Sequence, residues 1–240
     1  MSRTAAPLLL LLLAAAGGAA ALDLLDPSKI VEALSAGVGV ERWRRPDFCG
    51  KYDCPPYRRK ERTDNWEMRR YESGKWIMTN VSDTKYELAY TKAATKLLKY
   101  FKGSNSENKT FDVTTPTFAS VKLENGGEGT ERNYNFSLWL PEEVQRHTPQ
   151  PTDADLKVVK LPCIDWYIRV FGGFATESTI LKEAKGLMDM LDEEGRDFDN
   201  DIVVVAVYDP PTKLLSRHNE VLFVAGKNKK WQRKEAVQAA

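Results

Sequence analysis

The chain has 240 residues, and its 35 Lys and Arg nearly balance its 34 Asp and Glu, for a formal net charge of +1. This balance argues against nucleic acid and against a strongly anionic membrane surface as partners. The sequence has two histidines, far apart, and lacks the phosphate-loop, zinc-protease and nucleophile-elbow motifs, so its pattern favours a non-catalytic domain.

Residues 1–21 have the pattern of a secretory signal peptide. Arg3 gives a positively charged start, leucines fill positions 8–13, and Ala19-Ala20-Ala21 is a small-residue cleavage signature. The apolar run is too short for a transmembrane helix, and no later segment reaches the required length. We therefore expect cleavage after Ala21, no transmembrane segment, and a secreted, extracellular protein.

Residues 22–63 are interpreted as an N-terminal helix followed by an extended arm. Asp26-Pro27 starts the helix and Gly37 stops it, in line with cap and proline preferences. The arm is rich in Arg, Pro and Cys and has no clean period. At the other end, residues 227–240 form a basic tail, which is most often a solvated terminus.

Three cysteines are present, Cys49 and Cys54 in the arm and Cys163 in the body of the chain. An oxidising compartment predicts one disulfide and one remaining thiol. A small Cys49–Cys54 clasp is the simplest pairing, whereas a bond to Cys163 would pin the arm to the domain. No further cysteine pair or histidine cluster completes a zinc ligand set, so we expect no metal site of the protein's own.

Residues 64–226 show the same order of elements twice, which predicts a domain built from two β-α-β-β units. In the first unit, alternation and helical periodicity predict two strands, a helix and two further strands, at about 66–71, 75–81, 83–101, 117–123 and 134–140. In the second unit they predict a long strand bent at Pro162-Cys163, a helix and two strands, at about 157–171, 176–194, 202–208 and 219–224. The simplest packing is an α+β fold, a distorted antiparallel β-barrel with two main helices and a pseudo-symmetric repeat.

The last two strands are joined by a loop that Asp209-Pro210-Pro211 stiffens. The strand before it, Ile202–Tyr208, is apolar and β-branched, and is predicted to be central and buried on both faces. The loop carries Lys213, Arg217 and His218. These side chains are either ordinary solvated charges of a surface turn or groups that present charge to a ligand.

Asn-X-Ser/Thr sequons begin at Asn80, Asn108 and Asn135. Downstream of a signal peptide, each is a candidate glycosylation site. Asn108 is the most favourable because it lies in the polar loop 103–109. The other two fall at the end of one predicted strand and within another, so their modification depends on facing solvent.

Four sequence blocks resemble the SOUL/heme-binding protein family, in the same order and with the family's spacing. They are Trp66-Glu-Met-Arg-Arg-Tyr-Glu72 with Lys75-Trp76, similar to the family's first hairpin, then Val113-Thr-Thr-Pro-Thr117, Phe171-Gly-Gly-Phe174 and, most specifically, Tyr208-Asp-Pro-Pro-Thr-Lys-Leu-Leu-Ser-Arg-His-Asn-Glu220. The resemblance covers about residues 64–225 and leaves residues 22–63 outside the usual family core. It implies a distorted β-barrel with two helices, and the binding of heme or another porphyrin without catalysis.

A porphyrin needs an apolar groove for its ring and Lys or Arg for its propionates. The resemblance implies such a role for Lys213, because the proline-containing loop and the first helix border the groove proposed for the family. We extend the candidate set to Leu88, Lys92 and Lys96 on the first helix, where a solvated helix face is an equally good interpretation. Arg70 stands where some members carry a histidine proposed to bind iron, and arginine stays protonated and cannot replace it.

His218, Tyr71 and Met78 are further candidate iron ligands, without a counterpart in the family motif. The resemblance therefore leaves two functions open. One is a secreted, non-enzymatic carrier or scavenger of heme or another porphyrin. The other is an interaction or small-ligand module on the same fold that has lost heme binding.

Overall fold

The structure, a computed structural model, describes Trp43 and residues 45–226. The expected signal peptide, the helix begun by Asp26-Pro27 and the basic tail at 227–240 lie outside the described residues. The described part begins with a 3₁₀ turn, Asp47–Cys49. Its strands are β1 (Tyr57–Arg62), β2 (Glu67–Tyr71), β3 (Gly74–Ser82), β4 (Thr117–Glu124), β5 (Gly129–Trp139), β6 (Leu156–Leu161), β7 (Ile164–Phe171), β8 (Ile202–Val207) and β9 (Asn219–Val224). Its α-helices are α1 (Tyr86–Phe101), the short α2 (Glu142–Gln145) and α3 (Glu177–Glu193).

The nine strands form one antiparallel sheet in the order β1-β2-β7-β9-β8-β4-β5-β3-β6. The strands that follow the two long helices, β8 and β4, meet at its centre. β9 and β7 flank one side and β5 and β3 the other, so the halves are related by a pseudo-twofold axis. This confirms the α+β class, the two main helices and the repeat. The sheet is open among the described residues, with β1 and β6 as its edges, so the expected barrel is not closed.

The two units exchange their first strands. The long strand expected at 157–171 is broken at Pro162-Cys163 into β6 and β7. β6 pairs with β3 of the first unit, whereas β7 pairs with β2 and β9. The expected hairpin of β2 and β3 is therefore wrong, because these strands lie in opposite halves of the sheet. Proline has no amide hydrogen for a ladder, which accounts for the position of the break.

β1 has no counterpart in the sequence prediction, which treats its residues as part of the arm. It pairs with β2 at the edge of the sheet, with an irregularity between Arg59 and Glu61. Its side chains are mostly charged and exposed or half-buried. A charged edge strand of this kind blocks pairing with further chains and shows little apolar alternation.

The helices cover one face of the sheet, and residues around Phe48, Cys49 and Cys54 pack on the other. Consecutive residues on β3 and β7 alternate between the two cores, as Trp76 and Ile77 do. The helix-side core includes Leu97 of α1 and Leu187 of α3. The opposite core includes Trp76, Trp139, Trp166, Tyr208, Leu222, Cys49 and Cys54. No helix of the described residues is long and apolar enough to cross a membrane.

The buried stripe of α1 agrees only in part with the prediction. Helical periodicity predicts a stripe of Tyr90, Ala94, Leu97, Leu98 and Phe101; Leu97 and Phe101 are buried, Tyr90, Ala94 and Leu98 are half-buried, and Ala89 and Ala93 are buried as well. Alanine occurs on both stripes, so the pattern alone does not separate them. The helix also starts later than expected, at Tyr86. The predicted central position and burial of β8 are confirmed.

Candidate ligand-binding site

The Pro-Pro loop, defined as residues Tyr208–His218 between β8 and β9, is held from inside by Arg217. This buried guanidinium donates from Nη1 to the carbonyl oxygens of Pro210 and Lys213, both at 2.7 Å, and from Nη2 to that of Asp209 at 2.9 Å. Arginine presents its donors in a rigid planar fork, so these three bonds fix the loop backbone. The tip of the loop therefore has one preformed shape.

Asp209 adds a second set of bonds inside the loop. Its Oδ2 accepts from the backbone amide of His218 at 2.7 Å, and its Oδ1 accepts from Lys213 Nζ at 2.8 Å. Burial alone would raise the pKa of the Asp209 carboxyl, but the bonds from Lys213 and the His218 amide bring it below its usual value. Asp209 is consequently a stable carboxylate near neutral pH.

The charged side chains of the loop play different roles. Arg217 points inward to the loop carbonyls, and His218 Nε2 lies 2.9 Å from Glu220 Oε1. Neither is an ordinary solvated charge, and neither is free to meet a ligand. Lys213 reaches solvent while paired with Asp209. Of the three side chains considered from the sequence, Lys213 is the one available to an incoming anion.

The same loop exposes two adjacent leucines, which the sequence analysis missed. Leu214 is 70% exposed and Leu215 is 80% exposed. Scattered exposed apolar residues are normal, but a group of them on a fixed scaffold marks a binding surface. The available signal was a Leu-Leu pair inside an otherwise polar loop.

Two further exposed apolar side chains lie at the same end of the molecule. Phe174 is 48% exposed, and the Arg217 guanidinium lies 4.6 Å from its ring centroid. Leu88 is 49% exposed and follows Glu87, whose Oε1 accepts from the Glu177 amide at the start of α3. The turn between β7 and α3 thus connects the first turn of α1 to the Pro-Pro loop. We define the apical surface by Leu88, Phe174, Leu214 and Leu215.

The predicted residues of α1 share one solvent-facing stripe. Leu88, Lys92 and Lys96 are spaced four residues apart, so they lie on successive turns of the helix. Lys92 and Lys96, with Lys99, line an open cleft of about 530 Å³ between α1 and β3. Lys213 lines a separate cleft. The structure therefore brings the helical lysines together but places Lys213 apart from them.

Each predicted lysine already has a carboxylate partner. The pairs are Lys92–Asp83 at 2.7 Å, Lys96–Asp155 at 2.5 Å and Lys213–Asp209 at 2.8 Å. The Lys96–Asp155 pair is exposed on its carboxylate side and contributes about 0–1 kcal/mol, whereas Asp83 and Asp209 are only 8% and 12% exposed, so an anion can share their lysines more readily than displace them. Lys99 has no carboxylate partner in the part of the chain that the structure describes.

Arg70 lines neither of these clefts. It forms a bidentate pair with Asp165 of β7, at 2.8 Å and 2.7 Å, and Lys60 also donates to Asp165 at 3.1 Å. These bonds raise the pKa of Arg70, which therefore remains a cation and cannot bind iron. Tyr71 and Met78 are buried. Within residues 45–226 and Trp43, no group of three or more His, Cys, Asp or Glu side chains is arranged to hold a metal ion.

A buried ionic cluster lies beneath the Pro-Pro loop. Glu220, which has no exposed surface, accepts from Arg69 Nη1 at 2.8 Å and from the Tyr208 hydroxyl at 3.0 Å. Burial favours the neutral acid, but the Arg69 guanidinium and the contact from His218 hold the pKa of Glu220 below its usual value. Burial raises the pKa of Tyr208 well above its usual value. The sequence analysis did not assign this cluster, although Glu220 is the one charged residue of β9, a strand that continues as Val221–Val224.

The disulfide joins Cys49 to Cys54, and Cys163 is a free, exposed thiol. The simplest predicted pairing is confirmed, and neither alternative that uses Cys163 occurs. We call residues 47–54 the clasp. Side chains of the clasp and the Pro-Pro loop, including Phe48 and Lys213, together line a cleft of about 390 Å³.

The three sequons differ in their surroundings. Asn108 is exposed in a loop, with a positive φ of 52°. Asn80 on β3 and Asn135 on β5 are cross-strand partners, and Asn80 Nδ2 donates to Asn135 Oδ1 at 2.8 Å. Two bulky glycans on directly opposed residues would crowd each other. Glycosylation at all three positions remains a prediction.

Comparisons with known proteins agree with this architecture. The family described as SOUL heme-binding protein matches residues 52–224. Heme-binding protein 2 of Homo sapiens is 27% identical over 199 residues, which cover 83% of this chain and 92% of the relative. Heme-binding protein 1 of Xenopus tropicalis is 32% identical over 160 residues, which cover 66% of this chain and 83% of the relative. The crystal structure of the EcmrR C-terminal domain aligns with a TM-score of 0.51 and 9% identity over 72% of this chain and 99% of that one, a likeness of fold alone. The family match begins before β1 and runs to the end of β9, and the chain belongs to the SOUL heme-binding protein family.

Proposed function

We propose that this protein is a secreted, non-enzymatic carrier or scavenger of heme or a related tetrapyrrole, and that the ligand lies on the apical surface. Membership of the family supports the ligand class, since the matching relatives are named as heme-binding proteins. The observation that carries the site is the exposed Leu214–Leu215 pair on a loop of fixed shape.

The apical surface suits the faces of a porphyrin ring. Leu88, Phe174, Leu214 and Leu215 are apolar and together largely exposed to water. Covering such side chains with a flat apolar ring stabilises the complex by about 25 cal/mol per Å² of apolar surface removed from water. Because the loop is preformed, little conformational entropy is lost on binding.

The propionates require cations near the edge of the ring, and Lys213 precedes Leu214 directly. Its bond to Asp209 holds its ammonium at the loop, and the Lys213 side chain is 43% exposed, so a propionate can reach it there. Lys92 and Lys96 are the second candidate cations for a propionate, one and two turns beyond Leu88 on α1 and in a cleft separate from that of Lys213. We expect no bond between the protein and the iron, because Arg70 is a cation bound to Asp165.

The alternative is a module that binds a protein or another small ligand without heme. The pairing of Lys92, Lys96 and Lys213 with aspartates favours this alternative, because each of these three ammonium groups already has a carboxylate partner. The apical surface would then meet another apolar partner.

A titration of the protein with hemin and with protoporphyrin IX separates the two functions. The carrier predicts a saturable Soret shift with one ligand per chain, with similar affinity for both porphyrins. Replacing Lys213 with alanine should weaken binding by about three- to tenfold, the effect of one partly exposed charge. Lys185→Ala, which removes a similar (i, i+4) pair with Asp189 on α3, is the matched control and should bind like the parent. Absence of a saturable change with either porphyrin would favour the alternative.

The extracellular location is part of the same proposal. The Cys49–Cys54 disulfide supports passage through an oxidising compartment, together with the signal-peptide pattern of residues 1–21. Expression in a secreting animal cell should deliver protein to the medium with its N-terminus at Leu22. Asn108→Gln should remove one glycan that an N-glycosidase releases from the parent. Retention of the whole chain inside the cell would contradict secretion.

A further inference from the structure

The clasp places one aromatic side chain against both ends of the Pro-Pro loop. The Phe48 ring stacks on His218 with centroids 4.2 Å apart and planes 1° apart, and it meets Tyr208 edge-on at 5.0 Å. Tyr208 begins the loop and His218 ends it, with their rings 4.9 Å apart. One ring from the clasp therefore bridges the neck of the loop.

The neck has little backbone support of its own. The ladder between β8 and β9 ends at the pair Val207–Asn219. Beyond it, the Tyr208 amide donates to the His218 carbonyl at 3.4 Å, a long hydrogen bond. Arg217 fixes the shape of the loop tip, because it bonds to carbonyl oxygens within the loop. These bonds do not fix the orientation of the loop relative to the sheet. Glu220 of β9 holds both neck residues, since it accepts from the Tyr208 hydroxyl at 3.0 Å and lies 2.9 Å from His218 Nε2, and the aromatic contacts of Phe48 add a second restraint from the clasp side.

The position of Phe48 is in turn set by the disulfide. Phe48 adjoins Cys49, whose amide donates to the Pro46 carbonyl at 3.0 Å within the 3₁₀ turn. The Arg69 guanidinium lies 5.5 Å from the Phe48 ring centroid. With Cys49 bonded to Cys54, the turn cannot move away from the sheet without moving the whole clasp.

Thr115 provides a second connection between the clasp and the loop. Its amide donates to the Asp53 carbonyl at 2.8 Å, and its hydroxyl donates to the Tyr208 carbonyl at 2.8 Å. Thr115 is buried. The clasp is thus joined to the first residue of the loop by hydrogen bonds as well as by ring contacts.

We propose that Phe48, held by the Cys49–Cys54 disulfide, is a positioning residue that fixes the neck of the Pro-Pro loop and thereby orients Leu214 and Leu215. Its effect on porphyrin affinity rests on the proposed function, whereas its effect on the loop does not. Phe48 precedes residues 52–224, so this restraint comes from a part of the chain that the family match does not include.

The same coupling makes the loop responsive to reduction. A dithiol reductant donates two electrons and two protons, so the Cys49–Cys54 bond becomes two thiols while the reductant becomes a disulfide. The 3₁₀ turn is then free to leave the sheet and to take Phe48 away from His218. Reduction should therefore reproduce the effect of removing the Phe48 ring.

Limited trypsin digestion of the folded protein measures this coupling at Lys213, inside the loop. The readout is the rate of cleavage after Lys213 divided by the rate after Lys109, an exposed lysine elsewhere, so that global unfolding cancels. We expect Phe48→Ala to raise this ratio by about five- to tenfold, given the usual strength of aromatic contacts. Phe48→Tyr should restore the parent ratio. Tyr52→Ala is the control, since Tyr52 lines the same cleft without a ring contact to His218 or Tyr208.

Treatment of the parent with dithiothreitol should raise the same cleavage ratio. If Phe48→Ala does not fold, Phe48→Leu replaces it in the experiment, because leucine keeps apolar volume but has no aromatic ring. An unchanged ratio in Phe48→Leu and in the reduced parent would overturn the proposal. A protoporphyrin IX titration of the same variants is the second arm, with weaker binding expected in step with the cleavage ratio. If the parent itself binds no porphyrin, the proposed function fails while the digestion still decides the role of Phe48. A third outcome is that Phe48→Leu raises the cleavage ratio but binds protoporphyrin IX as tightly as a parent that binds it. Phe48 would then position the loop, but the orientation of the loop would not affect the ligand. That outcome would contradict the part of the proposal that concerns porphyrin affinity.

Discussion

Arg69 on β2 and Glu220 on β9 form a buried ion pair, with Nη1 donating to Oε1 at 2.8 Å across a sequence separation of 151 residues. β7 lies between their strands. Arg69 also donates from Nε to Glu67 at 2.7 Å, and Tyr208 donates to the other oxygen of Glu220. The cluster therefore links the exchanged first strand of one unit to the last strand of the other, directly beneath the Pro-Pro loop.

Replacing Arg69 with methionine should destabilise the fold strongly. The change leaves Glu220 buried without its main counter-charge, and breaking a buried pair from one side costs about 3–5 kcal/mol. Urea unfolding at neutral pH, followed by tryptophan fluorescence, measures this loss in the free energy of unfolding. Arg70→Met is the matched control on the neighbouring position of the same strand, where the arginine is exposed and the expected loss is about 0–1 kcal/mol. Equal effects of the two substitutions would contradict the assigned burial.

The stability of the protein should fall on acidification below about pH 4.5, the usual pKa of a glutamate, in part because of Glu220. Its pKa is lower in the folded state than in the unfolded state, so the unfolded chain takes up the proton first. The stabilisation is complete above the unfolded pKa and is lost as the pH falls through the folded one. Glu220→Gln should lower stability at neutral pH and reduce the further loss between pH 6 and pH 3. A parent protein equally stable at both pH values would contradict this prediction.

Gly74 at the start of β3 should not tolerate alanine. A Cβ atom at this position would lie 2.2 Å from the buried ring of Trp139, which has no room to move. Overpacking of this kind costs about 1–3 kcal/mol, so the thermal midpoint should drop.

Gly186→Ala should have the opposite effect. Gly186 lies within α3, and a Cβ atom added there would have Arg169 as its nearest neighbour, at 3.9 Å. That change should stabilise the protein by about 0.5–1 kcal/mol, and a loss of stability there would contradict the packing described for α3.

Much of the fold could be predicted from periodicity because both long helices and the central strands carry strong local patterns. The predicted start of α3 near Thr176 is confirmed, and the Thr176 hydroxyl caps the helix by accepting from the Thr179 amide. Strand pairing was less predictable. Nothing in residues 157–171 shows that the two sides of Pro162-Cys163 belong to opposite halves of the sheet, because pairing depends on contacts with distant strands.

The candidate site was predicted only in part. The family motif led to Lys213, and helical spacing led correctly to a shared stripe for Leu88, Lys92 and Lys96. Sequence could not show that Arg217 turns inward, because the direction of a long side chain depends on which carbonyls the loop presents. The exposure of Leu214 and Leu215 was missed because a leucine pair usually indicates a buried position, and only its place in a polar loop indicated otherwise.

The most direct test of the account compares protoporphyrin IX binding by the parent, by the double variant Leu214→Ser/Leu215→Ser and by Val170→Ser. Val170 is 48% exposed on β7, outside the apical surface, and so controls for the loss of an exposed apolar side chain. The account predicts parental affinity for Val170→Ser and a dissociation constant about tenfold higher or more for the double variant, because two apolar contacts with the ring are lost. A double variant that binds protoporphyrin IX as tightly as the parent would place the ligand elsewhere and contradict the central claim.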